Sequence, residues 1–282
     1  MLCYKRREDI VRFLKIVKAQ GKKLGFVPTM GALHDGHMSL IAKSKSENDL
    51  TICSIFVNPT QFNHQEDFDK YPISTTDDLL KLNHNACDIV FLPEMIDIYP
   101  NGTKNTKLPS LGKITSVLEG AHRPGHFDGV AQVVGLLLDI VQPDHLYMGQ
   151  KDYQQALVVQ KLLEVEKRHN TALVVCPTQR EADGLAMSSR NIRLSEEQRT
   201  HALGLSKALF YIKSNYKLCS NEQLIEHVSQ LLREIPELKL EYVSIASQAQ
   251  LEPLTSSETH EAAVALVAAW VGNVRLIDNI LL

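Results

Sequence analysis

Two histidines three residues apart, His34 and His37, close the stretch Pro28-Thr-Met-Gly-Ala-Leu-His-Asp-Gly-His37. Ahead of them, residues 24–27 are short, apolar and β-favouring. Behind them, Met38, Leu40 and Ile41 recur at helical spacing. A strand, a glycine-bearing loop and a helix N-terminus make an anion site. The first-turn N–H groups there have no internal partners, and the helix dipole adds partial positive charge. Two imidazoles where that helix starts point at whatever the backbone holds. Without its flanking elements the same pattern describes an ordinary solvated loop.

Other side chains suit the same chemistry. Lys151 opens a predicted helix, where the dipole disfavours cations; it is either solvent-facing or aimed at phosphate oxygens. Asp152 and Gln155 are common helix-start types, and Asp152 is also able to accept from ribose hydroxyls. Ser188-Ser189-Arg190 puts two hydroxyls and a guanidinium on a polar loop, donors that suit a pyrophosphate leaving group. Read alone, that loop is an interdomain linker; Gly184 beside Asp183 makes closure on a ligand credible. Arg123 and His126 form a second anion pair. Asn58 and Gln61 emerge where Pro59 stops a strand. Asp77 and Asp78 read as helix-start residues rather than metal ligands.

The elements that must position these groups alternate. Helices are expected over residues 8–20, 38–48, 76–85, 128–141 and 150–169, and strands over 24–27, 50–57, 87–93, 144–149 and 173–176. Irregular chain is expected over 63–74 and 94–125, with a short helical piece around 116–118. Strands and helices at this spacing predict a parallel sheet with right-handed crossovers. In such sheets ligands sit beyond the carboxyl ends of the strands, which is where His34, Asn58, Gly149 and Gln179 fall. Beyond Arg180 the character changes. Residues 181–191 read as a flexible polar hinge, and Ser195-Glu-Glu-Gln198 and Ser220-Asn-Glu-Gln223 match capping boxes. Strands over 240–246 and 263–271 then lead through Gly272-Asn273 into a last strand. The expected class is α/β: a Rossmann-like parallel sheet domain over residues 1–178 and a smaller α+β domain over 179–282.

With 33 acidic against 30 basic residues in 282, the net charge is −3, which supplies no basic surface for nucleic acid. The five cysteines are scattered and never in CxxC spacing. Cys53, Cys87 and Cys176 read as buried thiols of a reducing cytosol. No signal peptide and no membrane-length apolar run is evident, so a cytoplasmic enzyme is expected.

The first stretch resembles the HxGH signature of the nucleotidyltransferase superfamily. Further matches follow: Phe56-Val-Asn-Pro-Thr-Gln-Phe62, Glu119 with Arg123-Pro-Gly-His-Phe127, Gly149-Gln-Lys-Asp-Tyr-Gln-Gln155, Arg180, Asp183-Gly-Leu-Ala-Met-Ser-Ser-Arg-Asn191 and Arg275-Leu-Ile-Asp-Asn279. Together these resemble the pantothenate synthetase (pantoate–β-alanine ligase) family over nearly the whole chain. The resemblance implies condensation of pantoate with β-alanine through a pantoyl adenylate, releasing AMP and pyrophosphate. It implies that Met30, His34 and His37 hold the triphosphate of ATP, with His37 usually marked as catalytic. It further implies that Gly149, Lys151 and Asp152 hold ribose and phosphates and that the Gln179 backbone holds the adenine. Met187, Ser188, Ser189 and Arg190 would form the second phosphate loop, and Gln61 and Gln155 would bind pantoate. A homodimer, Mg²⁺ and closure of the C-terminal domain come with the family. One departure is Asp128 and Gln132, where a basic residue and Thr are expected.

The chemistry fits. A carboxylate is a poor acyl donor, and transfer to the α-phosphate of ATP arms it, so the protein has to position reactants and stabilise charge. No GxSxG or motif-bound cysteine supplies a nucleophile. Rivals are a transferase of AMP or CMP to a phosphorylated acceptor, an aminoacyl-tRNA synthetase (which needs a basic RNA surface), and an inactive nucleotide-binding module.

Overall fold

The computed structural model describes residues 1–62, 68–69, 71–103, 108–255 and 261–282. The chain divides into two compact units, residues 1–149 with 154–176 and residues 150–153 with 177–282. The chain passes from one unit to the other at 176/177, and the short segment 150–153 goes with the second unit.

In the first unit, strands β1 (Leu2–Tyr4), β2 (Leu24–Thr29), β3 (Leu50–Ile55), β4 (Ile89–Phe91), β5 (His145–Gly149) and β6 (Ala172–Cys176) form one sheet in the order β1-β4-β3-β2-β5-β6. Every neighbouring pair is parallel. Parallel neighbours need long crossovers, which carry helices α1 (Arg7–Ala19), α2 (Asp35–Glu47), α3 (Thr75–His84), α4 (Met95–Ile98), α5 (Glu119–His122), α6 (His126–Val141) and α7 (Tyr153–Val165). Successive strand residues face opposite sides. Phe26, Ile52, Ile89 and Leu146 therefore pack with α1, α6 and α7, while Val27, Cys53, Val90 and Tyr147 pack with α2 and α3. Both faces of the sheet are covered, which is why these strands read as continuous apolar runs.

Several local expectations change. β1 is a three-residue edge strand, too short and too exposed to leave a pattern in the sequence. The helical piece expected at 116–118 is replaced by a 3₁₀ turn, Gly112–Thr115, and then α5. The reason is Gln154, whose amide donates to the carbonyls of Ile114 (2.7 Å) and Val117 (2.8 Å) and accepts from the Glu119 N–H (3.1 Å), replacing helical partners. Residues 150–152 form a 3₁₀ turn rather than the first turn of α7, which ends at Val165. Of the expected irregular stretches, residues 63–67, 70 and 104–107 lie outside the described residues.

In the second unit, β7 (Leu238–Ser247), β8 (Ala263–Val271) and β9 (Val274–Leu281) form an antiparallel sheet in that order, with α8 (Glu196–Asn215) and α9 (Asn221–Arg233). Both capping boxes form. Ser195 and Ser220 accept from the N–H groups of Gln198 (3.1 Å) and Gln223 (3.2 Å), and each glutamine side chain accepts the serine N–H in return. Leu205, Leu209, Val228 and Leu232 of the helices pack on Ala265, Val267 and Ala269 of β8. The β8–β9 hairpin turns at Gly272, whose φ of +53° suits glycine. Within the stretch 181–191, expected to be a flexible polar hinge, residues 181–187 form a bonded turn with Leu185 and Ala186 buried and an antiparallel bridge from Arg180 to Ala186.

All five cysteines are free. Cys53, Cys87 and Cys176 are buried as expected, and burial pushes their thiols up, that of Cys87 to about 11. Among the described residues no helix is long and apolar enough to cross a membrane.

The tightest seat for a glycine in the sheet is Gly25, the second residue of β2. A Cβ there would press on Ser44 Oγ and stand 2.6 Å from Asn48 Nδ2, while Ser44 Oγ is fully buried and 2.7 Å from Thr51 Oγ1. Gly25→Ala should destabilise the protein by about 1–3 kcal/mol through overpacking. An unshifted urea midpoint would contradict that packing.

Candidate active site

The strand order reverses at β2. From β2 the chain moves one way to β3 and β4, then returns to β5 on the other side. Carboxyl ends at such a switch point flank a crevice, because the crossovers leaving them run in opposite directions. The β2–β5 ladder stops at Phe26, two residues before Pro28, which has no N–H to extend it. The loop after β2 carries Met30, His34 and His37, and β5 ends at Gly149. A Cβ built on Gly149 meets nothing within 4 Å, so packing does not demand glycine there and the backbone is open to close approach.

To reach α2 the chain must turn sharply, and two successive residues do so with positive φ, Gly31 at +83° and Ala32 at +48°. For alanine this conformation costs about 1–2 kcal/mol. Asp78, 1 % exposed, holds the turn: its carboxylate accepts the N–H groups of Ala32 (2.9 Å) and Leu33 (2.8 Å) and the Ser74 hydroxyl (3.1 Å). Lys81, one turn further along α3, donates to the Leu33 carbonyl at 2.5 Å. Asp78 is thus more than a helix-start residue, a role that no local signal announced.

Beyond that turn His34 is the N-cap of α2. Its N–H donates to His37 Nδ1 at 3.3 Å, and the two rings lie tilted at 43° to each other with centroids 4.1 Å apart. A neutral His37 therefore carries its proton on Nε2, an assignment made from this hydrogen bond. In that tautomer the Nε2–H is of the right type to donate to an anion.

Gln61, 8 % exposed, sits in the 3₁₀ turn Pro59–Gln61. Its Nε2 donates to Met30 Sδ at 2.9 Å, tying it to the histidine loop. Asn58, 1 % exposed, has both amide ends occupied: it donates to Thr60 Oγ1 (3.0 Å), Gln61 Oε1 (3.3 Å) and the Gly129 carbonyl (3.1 Å), and accepts from Tyr99 OH (2.8 Å). Asn58 therefore sets the Gln61 amide, and Tyr99, which the sequence reading missed, sets Asn58. His126 Nδ1 donates to the Gln61 carbonyl (2.8 Å), and Arg123 meets both His126 Nε2 (3.1 Å) and the same carbonyl (3.4 Å). Gly129 lets α6 approach so closely that a Cβ there would strike the Thr60 carbonyl. Gln155 is half-buried, and among the described residues no hydrogen bond engages its amide. A cavity of about 280 Å³ opens beside Met30 and Gly31, walled by Ile55, Phe56, Val57 and Leu92 at the carboxyl ends of β3 and β4.

The remaining predicted residues lie in the second unit. Lys151 is mostly buried, its ammonium 3.5 Å from the Asp152 carboxylate. The Gln179 carbonyl accepts the Met187 N–H at 3.0 Å, closing the base of the 181–187 turn. Ser188 caps the 3₁₀ turn Ser189–Arg193, its Oγ accepting the Arg190 N–H at 3.3 Å. Thr178 Oγ1 is buried with no hydrogen-bond partner among the described residues. For Mg²⁺ the donor set offers no cage: among the described residues no group of three His, Cys, Asp or Glu side chains could hold a metal.

Asp78→Asn leaves one acceptor oxygen for two N–H groups. It should cost about 1–3 kcal/mol of stability and weaken any anion binding at His34 and His37. Unaltered urea midpoint and anion affinity would show that Asp78 does not hold the turn.

Comparison with known proteins accords with this geometry. The family model described as pantoate–β-alanine ligase matches residues 3–281. Pantothenate synthetase of Porphyromonas gingivalis is 41 % identical over 272 residues, 96 % of each chain. That of Aquifex aeolicus is 42 % identical over 281 residues, covering 99 % of this chain and 98 % of the other. The crystal structure of pantothenate synthetase from Thermus thermophilus superposes with a TM-score of 0.91 at 36 % identity, over 99 % of both chains. That of the ligase from Francisella tularensis, complexed with β,γ-ATP and β-alanine, gives 0.82 at 38 % identity, over 100 % of this chain and 97 % of that one. With this similarity along its whole length, the chain belongs to the pantoate–β-alanine ligase family.

Proposed function

We propose that this ligase arms pantoate as an enzyme-bound adenylate before β-alanine displaces AMP. A pantoate carboxylate oxygen attacks the α-phosphorus of ATP. The bond to the bridging oxygen of the β-phosphate breaks, and pyrophosphate leaves with the electron pair. The β-alanine amine then attacks the acyl carbon, loses a proton and displaces AMP, forming pantothenate. The observation that carries this reading is the switch-point loop of the first unit. There an α-helix N-terminus, two imidazoles in ring contact and a buried amide tied to Met30 occur together.

In the first unit, His37 donates from Nε2 to phosphate oxygens, with His34 beside it and Met30 and the open Gly149 backbone lining the nucleotide's approach. Gln61 and Gln155 hold pantoate hydroxyls with neutral amides, which discriminate by hydrogen bonding without attracting stray ions. Asn58, Arg123 and His126 bear on pantoate by fixing Gln61 rather than by touching it themselves. In the second unit, Lys151, Ser188, Ser189 and Arg190 stabilise charge growing on the pyrophosphate, Asp152 accepts from the ribose, and Met187 and the Gln179 backbone frame the adenine. Mg²⁺ enters with the triphosphate, whose oxygens are its usual ligands when a protein supplies few of its own. Family membership also supports a homodimer in the cytoplasm.

The reading is tested with pantoate labelled by heavy oxygen in its carboxylate. One label should appear in AMP, and label in inorganic phosphate would indicate an acyl phosphate instead. Pantoate-dependent exchange of pyrophosphate into ATP isolates the first half-reaction. His37→Ala and Lys151→Ala should each slow that exchange by about 10²–10³-fold with folding retained. Wild-type exchange in either variant removes that residue from the mechanism.

A further inference from the structure

One stretch of the family's pattern, Arg275-Leu-Ile-Asp-Asn279, has no part in the chemistry so far. It lies on β9 of the second unit, and its last two residues are almost fully buried polar groups, Asp278 at 4 % and Asn279 at 2 % exposed. Neighbours on a strand point to opposite faces, and these two make different attachments. The Asn279 amide donates to the carbonyls of Gln150 (3.0 Å) and Lys151 (2.8 Å) and accepts from Gln150 Nε2 (3.2 Å). It therefore holds the 3₁₀ turn that carries Lys151 from both ends of its own side chain. Asp278 takes Arg180 in a two-pronged pair, at 2.6 and 3.0 Å. Arg180 in turn donates to the Gly184 carbonyl (3.1 Å) and lies 5.1 Å above the Phe210 ring. Gly184 is the left-handed residue (φ +94°) of the turn leading to Ser188.

We infer that the Asp278–Asn279 dipeptide is a positioning element for both cationic loops of the second unit, with Asn279 setting Lys151 and Asp278, through Arg180, setting the turn that leads to Ser188–Arg190. The inference rests on the reading that Lys151 and those residues act on the nucleotide's phosphates. Its physical basis is economy of reference: two loops anchored to adjacent residues of one strand keep a fixed spacing, and phosphoryl transfer is sensitive to displacements of about 1 Å. Neither residue needs to touch the nucleotide.

The test uses the full-length enzyme with Asn279→Ala, Lys151→Ala and the double variant, measured by pyrophosphate–ATP exchange. Asn279→Ala should lower the exchange kcat by about 10–100-fold and leave the pantoate KM within about twofold, since Gln61 and Gln155 do not depend on it. In the Lys151→Ala background the same change should cost less than about threefold, because it acts through a side chain already gone. Asn279→Asp keeps size and acceptor but loses both donors, and should match Asn279→Ala; it is the variant to read if the alanine form fails to fold. Wild-type kinetics in a folded Asn279 variant, or a full multiplicative loss in the double variant, overturns the positioning role alone. Wild-type exchange in Lys151→Ala overturns both this inference and the assignment of Lys151.

Discussion

The geometry of the first unit depends on the turn that leaves β2. A parallel strand ends there at the point where strand order reverses, and only five residues separate Thr29 from the first residue of α2. That requires left-handed backbone at Gly31 and at Ala32, a conformation alanine resists. A buried carboxylate from α3 makes it stable by accepting the N–H groups of Ala32 and Leu33. The histidine pair, the α2 N-terminus and the contact from Met30 to Gln61 all follow from where this turn delivers the chain.

Around it the protein spends buried polar groups on orientation. Gln61 is a side chain of many rotamers, and an amide free to flip would present donor and acceptor at random. Asn58 fixes its oxygen, Met30 receives its nitrogen, and the Gln61 carbonyl is held by His126 and Arg123. A network in which each polar atom is satisfied is rigid, and the same low dielectric that strengthens it penalises any member left alone. Tyr99 belongs to that network: burial pushes its phenol up, and its hydroxyl serves Asn58 as a neutral donor.

The second unit solves a different problem with an antiparallel sheet. The segments proposed to meet the phosphates are short turns without a core of their own, and they are held on β9 through Asn279 and through the Arg180–Asp278 pair. Buried ion pairs are weak contributors to net stability but strict about geometry, because breaking one partner strands the other. Here that strictness falls on the turn preceding Ser188.

Much of this was legible in the sequence. Apolar runs at periods of 2 and 3.6 marked the strands and helices, Ser195 and Ser220 marked their helices through caps, and Gly272-Asn273 marked the hairpin. The residues proposed for chemistry were visible because strand–glycine–helix junctions and polar strand ends are local signals. Strand order was not legible, since parallel pairing leaves no trace in the partner's sequence, and β1 was too short to show a period. The 3₁₀ turn at Lys151 and the missing helix at 116–118 were decided by distant side chains, Asn279 and Gln154. The sequence by itself thus settled the main strands and helices, the fold class and the types of side chain at the strand ends. Only the tertiary structure decided that Asp78 holds a loop 46 residues away and that Asn279 reaches across 128. Periodicity and caps are properties of neighbouring residues, whereas a hydrogen bond between distant ones exists only after the chain has folded to bring them together.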